Sequence, residues 1–153
     1  MYDIIVIGSA TRDAFFKSKE FRIREQPESK TGKEMCLELG AKIAIPEVIF
    51  TTGGGGTNIA TTFARQGFKA SCVSRVGDDV SGGEVKKELK QEGIDDFLQI
   101  DPIRKTAYSL ILVTEEGERT ILEFRGANDY LSEKEIDWEK LKINKTGWLF
   151  LDS

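Results

Sequence analysis

Between Phe50 and Gly67 the chain reads FTTGGGGTNIATTFARQG. Four consecutive glycines give way at once to a helix opening. Glycine gives up more backbone freedom on folding than any other residue. Such a run persists where the chain needs positive φ or where something must come close. A phosphate, a sugar and another stretch of backbone all fit that description. Beyond the glycines, Thr57 reads as the N-cap of a helix with Ile59, Ala60, Phe63 and Ala64 on one face. Gly67 reads as its C′ residue.

The flanking pattern sets the fold class. Ile4 to Ile7 is a short, continuous apolar run ending at Gly8, as in a parallel strand buried on both faces. Ala70 to Val76 is a second β run, and Trp148 to Leu151 another. Between them a helix is expected from about Ser81 to Glu92, with Val85 and Leu89 inward and Gly93 as its stop. Asp78 and Asp79 read as the start of that helix, at its positive end. Ser132 and Glu135 read as a capping box for a helix carrying Ile136, Trp138 and Leu141. Strands alternating with helices indicate an α/β fold with a parallel sheet. Thr106 to Thr114 and Arg119 to Phe124 form a hairpin about Gly117. Met35 to Leu39, Ile43 to Ile45 and Val48 to Thr52 are short β runs, whereas residues 17–34 read as an exposed charged loop. The hairpin and the strands between residues 35 and 52 do not suit the parallel sheet, and are expected to form a separate β element.

Composition narrows the function. The 153 residues suit one domain of ordinary size, and the formal charge is −4 with no basic stripe. Nucleic acid is therefore not an expected partner. The two cysteines, Cys36 and Cys72, lie in unrelated segments, and there is no histidine. This argues against a zinc site and a disulfide framework, and for a reducing, cytoplasmic setting. No apolar run reaches the length of a signal peptide or a membrane span, so no membrane partner is expected. Without histidine, acid–base chemistry falls to carboxylates.

The glycine loop is not a P-loop, because Thr57 and Asn58 stand where Lys and Ser or Thr are required. Nor does the GSAT turn after Ile7 carry the GxGxxG of a dinucleotide fold. What the loop resembles is the first signature of the PfkB (ribokinase-like) carbohydrate and nucleoside kinases. The match runs through GGGGTNIA, six residues to Gly67 and nine more to Gly77. Gly8, Asp13, Asp78, Asp79, Gly83, TAYSLILV, GERTILEFRGAN and the segment 132–141 extend it in the family's order. The resemblance covers essentially the whole chain. It implies a ribokinase-like parallel-sheet core with a small β-sheet lid, formed by segments at about 15–52 and 106–124.

In that family the glycines and the Asn floor a sugar pocket, which implies substrate-binding roles for Gly54, Gly55 and Asn58. Backbone N–H groups can reach hydroxyls there with no Cβ in the way. Asn58 offers both a donor and an acceptor. Asp13 can accept from two adjacent hydroxyls and so reject analogues that lack them. Ala107 to Ile111 would send alternate side chains onto the sugar, which brings in Ala107 and Ser109. Asp152 stands where some ribokinases carry a sugar-contacting or metal-network acid. By residue type alone Asp13 reads equally well as a turn residue; supporting the helix start is the lesser reading for Asn58, and Cys72 reads as an inert buried thiol. Arg125 reads as either surface or pocket wall.

The resemblance also implies ATP and Mg²⁺, a sugar or nucleoside acceptor, and a homodimer through the lid. Family members are longer. Their second signature, a DTxGAGD-like stretch, supplies the catalytic base and the helix end that receives the developing phosphate charge. No GAGD occurs in these residues. The chain therefore reads as the N-terminal, sugar-binding part of a kinase, with no catalytic base and no metal ligand of its own, its nucleotide-binding residues unknown. The other reading is a noncatalytic sugar-binding or lid-dimerisation module.

Overall fold

In the computed structural model, which describes residues 1–152, the apolar run IIVI is strand β1 (Ile4–Ile7). It is followed by β2 (Thr11–Lys17), β3 (Arg22–Glu25), β4 (Lys33–Cys36), β5 (Glu47–Gly53), helix α1 (Gly55–Arg65) and β6 (Ala70–Gly77). Helix α2 (Val80–Gln91), β7 (Asp95–Asp101), β8 (Ala107–Val113), β9 (Arg119–Phe124), α3 (Trp138–Leu141) and β10 (Trp148–Leu151) complete the order. The chain divides into two compact units. One comprises Met1–Arg12, Thr51–Tyr108 and the chain from Phe124 onward; the other comprises Asp13–Phe50 and Ser109–Glu123.

The first unit is built on a parallel sheet of order β10-β1-β6-β7. Residue Val6 of β1 stands opposite Phe150 on one side and Cys72 on the other. Side chains alternate across a strand, so β1 serves two cores. Ile4 and Val6 pack with Ala60 of α1 and with Val85 and Leu89 of α2. Ile5 and Ile7 pack with Val73 and Leu141 on the other face. All four are buried, and each such side chain contributes about 1.5–3 kcal/mol. That two-sided burial explains why the run is uninterrupted. Strand β10 is an edge among the described residues, and its apolar side chains are exposed. No helix of the described residues is long and apolar enough to cross a membrane.

The second unit contains the antiparallel pair β3–β4 and most of a four-stranded sheet of order β5-β2-β8-β9. Within it, the segment expected as a loop at 17–34 holds β3 and the start of β4, paired from Arg22 opposite Cys36 to Glu25 opposite Lys33. Every residue of β3 is exposed, so no apolar alternation marked it. Residues 43–45, expected as a strand, are not one; there the carbonyl of Ala44 accepts from Ser18 Oγ at 3.1 Å.

Three further differences lie in the first unit. Strand β7 was not anticipated, because its sequence DDFLQID begins and ends in acids. Asp101 at its end is buried and accepts from the backbone N–H groups of Ile103 and Arg104, at 2.9 Å each. The segment 132–141 is not one helix but a 3₁₀ turn, Glu133–Glu135, followed by the short α3. Ser132 does not cap it: its backbone is extended and bonded on both sides to the Gln99 amide, and Asp137 caps α3 through Lys140 N–H. Finally, Thr57 is not the N-cap of α1. Gly54 is, and Thr57 lies inside the helix with its hydroxyl donating back to the Gly54 carbonyl at 3.1 Å.

Candidate functional site

The glycine run is explained by what lies against it. Gly54 has φ 95° and ψ 147°, a conformation essentially restricted to glycine. A Cβ there would sit 2.6 Å from the carbonyl oxygen of Ser9. One on Gly56 would sit 2.7 Å from the carbonyl carbon of Gly8, and one on Gly55 would sit 2.0 Å from a carboxylate oxygen of Asp152. The turn after β1 therefore lies directly on the start of α1, and Asp152 follows β10 into the same place. Its N–H donates to the Ile7 carbonyl at 2.9 Å. Close approach of backbone and of one carboxylate answers the question the glycines raise.

Ser9 is the joint of this arrangement. Its carbonyl accepts from Thr57 N–H at 3.3 Å, and its hydroxyl accepts from Gly55 N–H at 2.9 Å. The same hydroxyl donates to Asp152 at 3.4 Å. The Gly55 N–H, expected as a donor to a sugar, is thus directed at Ser9. The Asp152 carboxylate stands at the positive end of α1, a favourable position for an anion. Sequence reading did not single out Ser9; its only signal is a small hydroxyl residue straight after a buried strand. On the other side of the same turn, Ala10 N–H donates to Asn128 Oδ1 at 3.1 Å.

The structure thus brings Gly54, Gly55 and Asp152 together. Asn58 is one turn further along α1, exposed, with its N–H donating to the Gly54 carbonyl at 3.0 Å. Ala107 begins β8 and is buried. Ser109 and Ile111 are buried too while Tyr108 and Leu110 are less so, which puts Ala107, Ser109 and Ile111 on one face of β8. In the second unit, Asp13 is a half-buried residue in β2, the strand beside β8.

The remaining polar residues are mostly structural. Asp79 caps α2 through Gly82 N–H at 2.9 Å and also accepts from Thr106 N–H and hydroxyl. Partial burial would raise its carboxyl, but these hydrogen bonds hold it below the usual carboxylate range. Burial pushes the Cys72 thiol up to about 12, which keeps it protonated and inert. Arg125 is half exposed and pairs with Asp129 at 2.6 Å.

Comparison with known proteins places this geometry in context. A family model described as pfkB family carbohydrate kinase matches residues 1–147. The chain is 32% identical over 96 residues to a probable chloroplastic fructokinase of Arabidopsis thaliana, covering 61% of this chain and 25% of that protein. It is 31% identical over 139 residues to a ribokinase of Schizosaccharomyces pombe, covering 84% of this chain and 38% of that one. Among solved structures, an Arabidopsis thaliana ribokinase complexed with ribose and ATP superimposes with a TM-score of 0.76 at 20% identity, over 98% of this chain and 45% of that one. The fold is that of the ribokinases, an α/β architecture with a parallel-sheet core. The chain spans less than half the length of these relatives.

Proposed function

The chain belongs to the pfkB family of carbohydrate kinases; from that premise we propose that it supplies the sugar-binding part of an ATP-dependent kinase acting on a sugar hydroxyl. The observation that carries this reading is the family match over residues 1–147. The reaction is ATP + sugar → ADP + sugar phosphate: the acceptor oxygen bonds to the γ-phosphorus, the bond to the β-phosphate oxygen breaks, and the hydroxyl proton passes to a base. Phosphoryl transfer of this kind depends on positioning and charge stabilisation. Substrate-binding roles fall to Asp13, which accepts from two adjacent hydroxyls, to Asn58, which bonds a hydroxyl in either sense, and to Ala107 and Ser109. Gly54 and Gly55 hold the loop close, with Asp152 fixed behind them. In this reading the segments at about 15–52 and 106–124 are the family's lid segments.

ATP use is supported by the solved ribokinase that holds ribose and ATP. Mg²⁺ accompanies the ATP in this reading and is assigned no ligand in this stretch. The base and the nucleotide pocket are likewise placed outside this stretch. Full-length kinase offered a panel of pentoses, hexoses, keto-deoxy sugar acids and nucleosides is expected to phosphorylate one class, while purified residues 1–153 phosphorylate none. Activity in the short chain above a mock preparation overturns the division of labour; a full-length protein that phosphorylates nothing on the panel overturns the kinase reading.

The second unit also supports a homodimer. All of β9 is exposed, with Ile121 at 50% and Leu122 at 54%. On β5, Val48, Ile49 and Phe50 are exposed as well. Apolar faces and edge strands of this kind call for a cover. Light scattering on the full-length kinase is expected to give a dimer that Ile121→Asp converts to monomer. A monomer at every concentration tested removes the clasp.

A further inference from the structure

The side chain of Glu88, on α2, reaches two strands at once. One carboxylate oxygen pairs with the Arg12 guanidinium, and the other accepts from the backbone N–H of Thr52 at 2.7 Å. Arg12 immediately precedes Asp13 on β2, and Thr52 lies on β5 just before the Gly53–Gly54 turn. These are also places where the chain passes between its two units, since Arg12 ends one segment of the first unit and Thr51 begins the next. A single carboxylate therefore grips both segments that lead to the proposed sugar ligands.

The contact goes beyond the packing of α2. Val85 and Leu89 already supply that helix's buried apolar contacts with the sheet. β5 is an edge of its sheet, and the Thr52 N–H is satisfied by a side chain. Partial burial would raise the Glu88 carboxyl, but hydrogen bonds from Thr52 and Arg12 outweigh it and hold the group below the usual range. It is ionised at neutral pH, when its pairing with Arg12 is charge-assisted.

We propose that Glu88 is a positioning residue for the acceptor sugar, fixing Asp13 through Arg12 and the glycine loop through Thr52; this rests on the sugar-kinase reading above. Small displacements of a substrate-holding group have large effects on rate, on the order of a hundredfold for about 1 Å. The test uses full-length kinase carrying Glu88→Ala or Glu88→Gln. In Glu88→Ala, kcat/KM for the sugar is expected to fall about tenfold, with KM for ATP unchanged within a factor of about two. Glu88→Gln keeps an acceptor for the Thr52 N–H and loses the ion pair, so it is expected to recover part of the loss. Amide exchange at Thr52 is expected to speed up in Glu88→Ala and to stay slow in Glu88→Gln. A lowered Tm with unchanged sugar kinetics in both variants means a purely structural contact and overturns the inference, while Asp13→Asn still reports on the kinase reading. A wild-type enzyme that phosphorylates no sugar overturns both.

Discussion

Asp13→Asn in the full-length kinase is expected to raise KM for the sugar steeply and to leave KM for ATP nearly unchanged. The substitution keeps the shape of the side chain and removes its charge. A hydrogen bond to a charged group contributes about 1.5–3 kcal/mol, so losing the charge from one such bond corresponds to roughly a 10- to 100-fold change in KM. Asp13 is half-buried in β2, beside fully buried Ala14. Asn fills the same space there, and the Tm is expected to move little. Discrimination supplies a second readout. The wild type is expected to reject deoxy analogues that lack either hydroxyl bonded by Asp13, and the variant is expected to lose much of that preference. Initial rates with sugar and ATP varied separately decide the matter. Unchanged sugar kinetics remove Asp13 from the site and return it to the role of a turn or strand residue.

What could be read from the sequence follows from how each element is buried. β1 announced itself because both its faces are covered, which forces four apolar residues in a row. Helices α1 and α2 were legible because each buries one stripe against the sheet and ends in a glycine, Gly67 or Gly93, with positive φ. β7 was hidden because it begins and ends in acids, with Phe97, Leu98 and Ile100 as its only apolar residues. β3 was hidden for the opposite reason: a strand that buries little needs no pattern at all, whereas the expected run at Met35 to Leu39 overlaps only the end of β4. The site divides in the same way. A close approach at Gly54–Gly56 could be inferred from the cost of the glycines, but its partners could not. Ser9 and Asp152 reach that loop from positions 46 and about a hundred residues away, through tertiary structure alone. Glu88 gave no signal either, since an acid beside Leu89 on an amphipathic helix reads as its solvated face.

Gly54→Ala is expected to be among the most destabilising single-methyl additions in the chain. Two effects combine there. The backbone conformation, φ 95° and ψ 147°, lies in a region that only glycine occupies readily, which costs another residue about 1–3 kcal/mol. The added methyl would also meet the Ser9 carbonyl, with its oxygen at 2.6 Å and its carbon at 2.8 Å. That neighbour cannot give way freely, because the Ser9 carbonyl and hydroxyl are held by Thr57 and Gly55 N–H groups. Overpacking of this kind adds about 1–3 kcal/mol, against a net stability of about 5–15 kcal/mol for a whole domain. Two other glycines separate these effects. Gly67 has φ 91° with nothing within 4 Å of an added Cβ, so Gly67→Ala carries the backbone cost alone. Gly83 lies inside α2 with open space around it and no positive φ, so Gly83→Ala is expected to stabilise by about 0.5–1 kcal/mol. Urea unfolding of the three variants should therefore rank Gly83→Ala above wild type, Gly67→Ala below it, and Gly54→Ala lowest of all. Equal losses at Gly54 and Gly67 mean that the turn after β1 yields to the methyl. In that case the approach of Ser9 is not what keeps glycine at the head of α1.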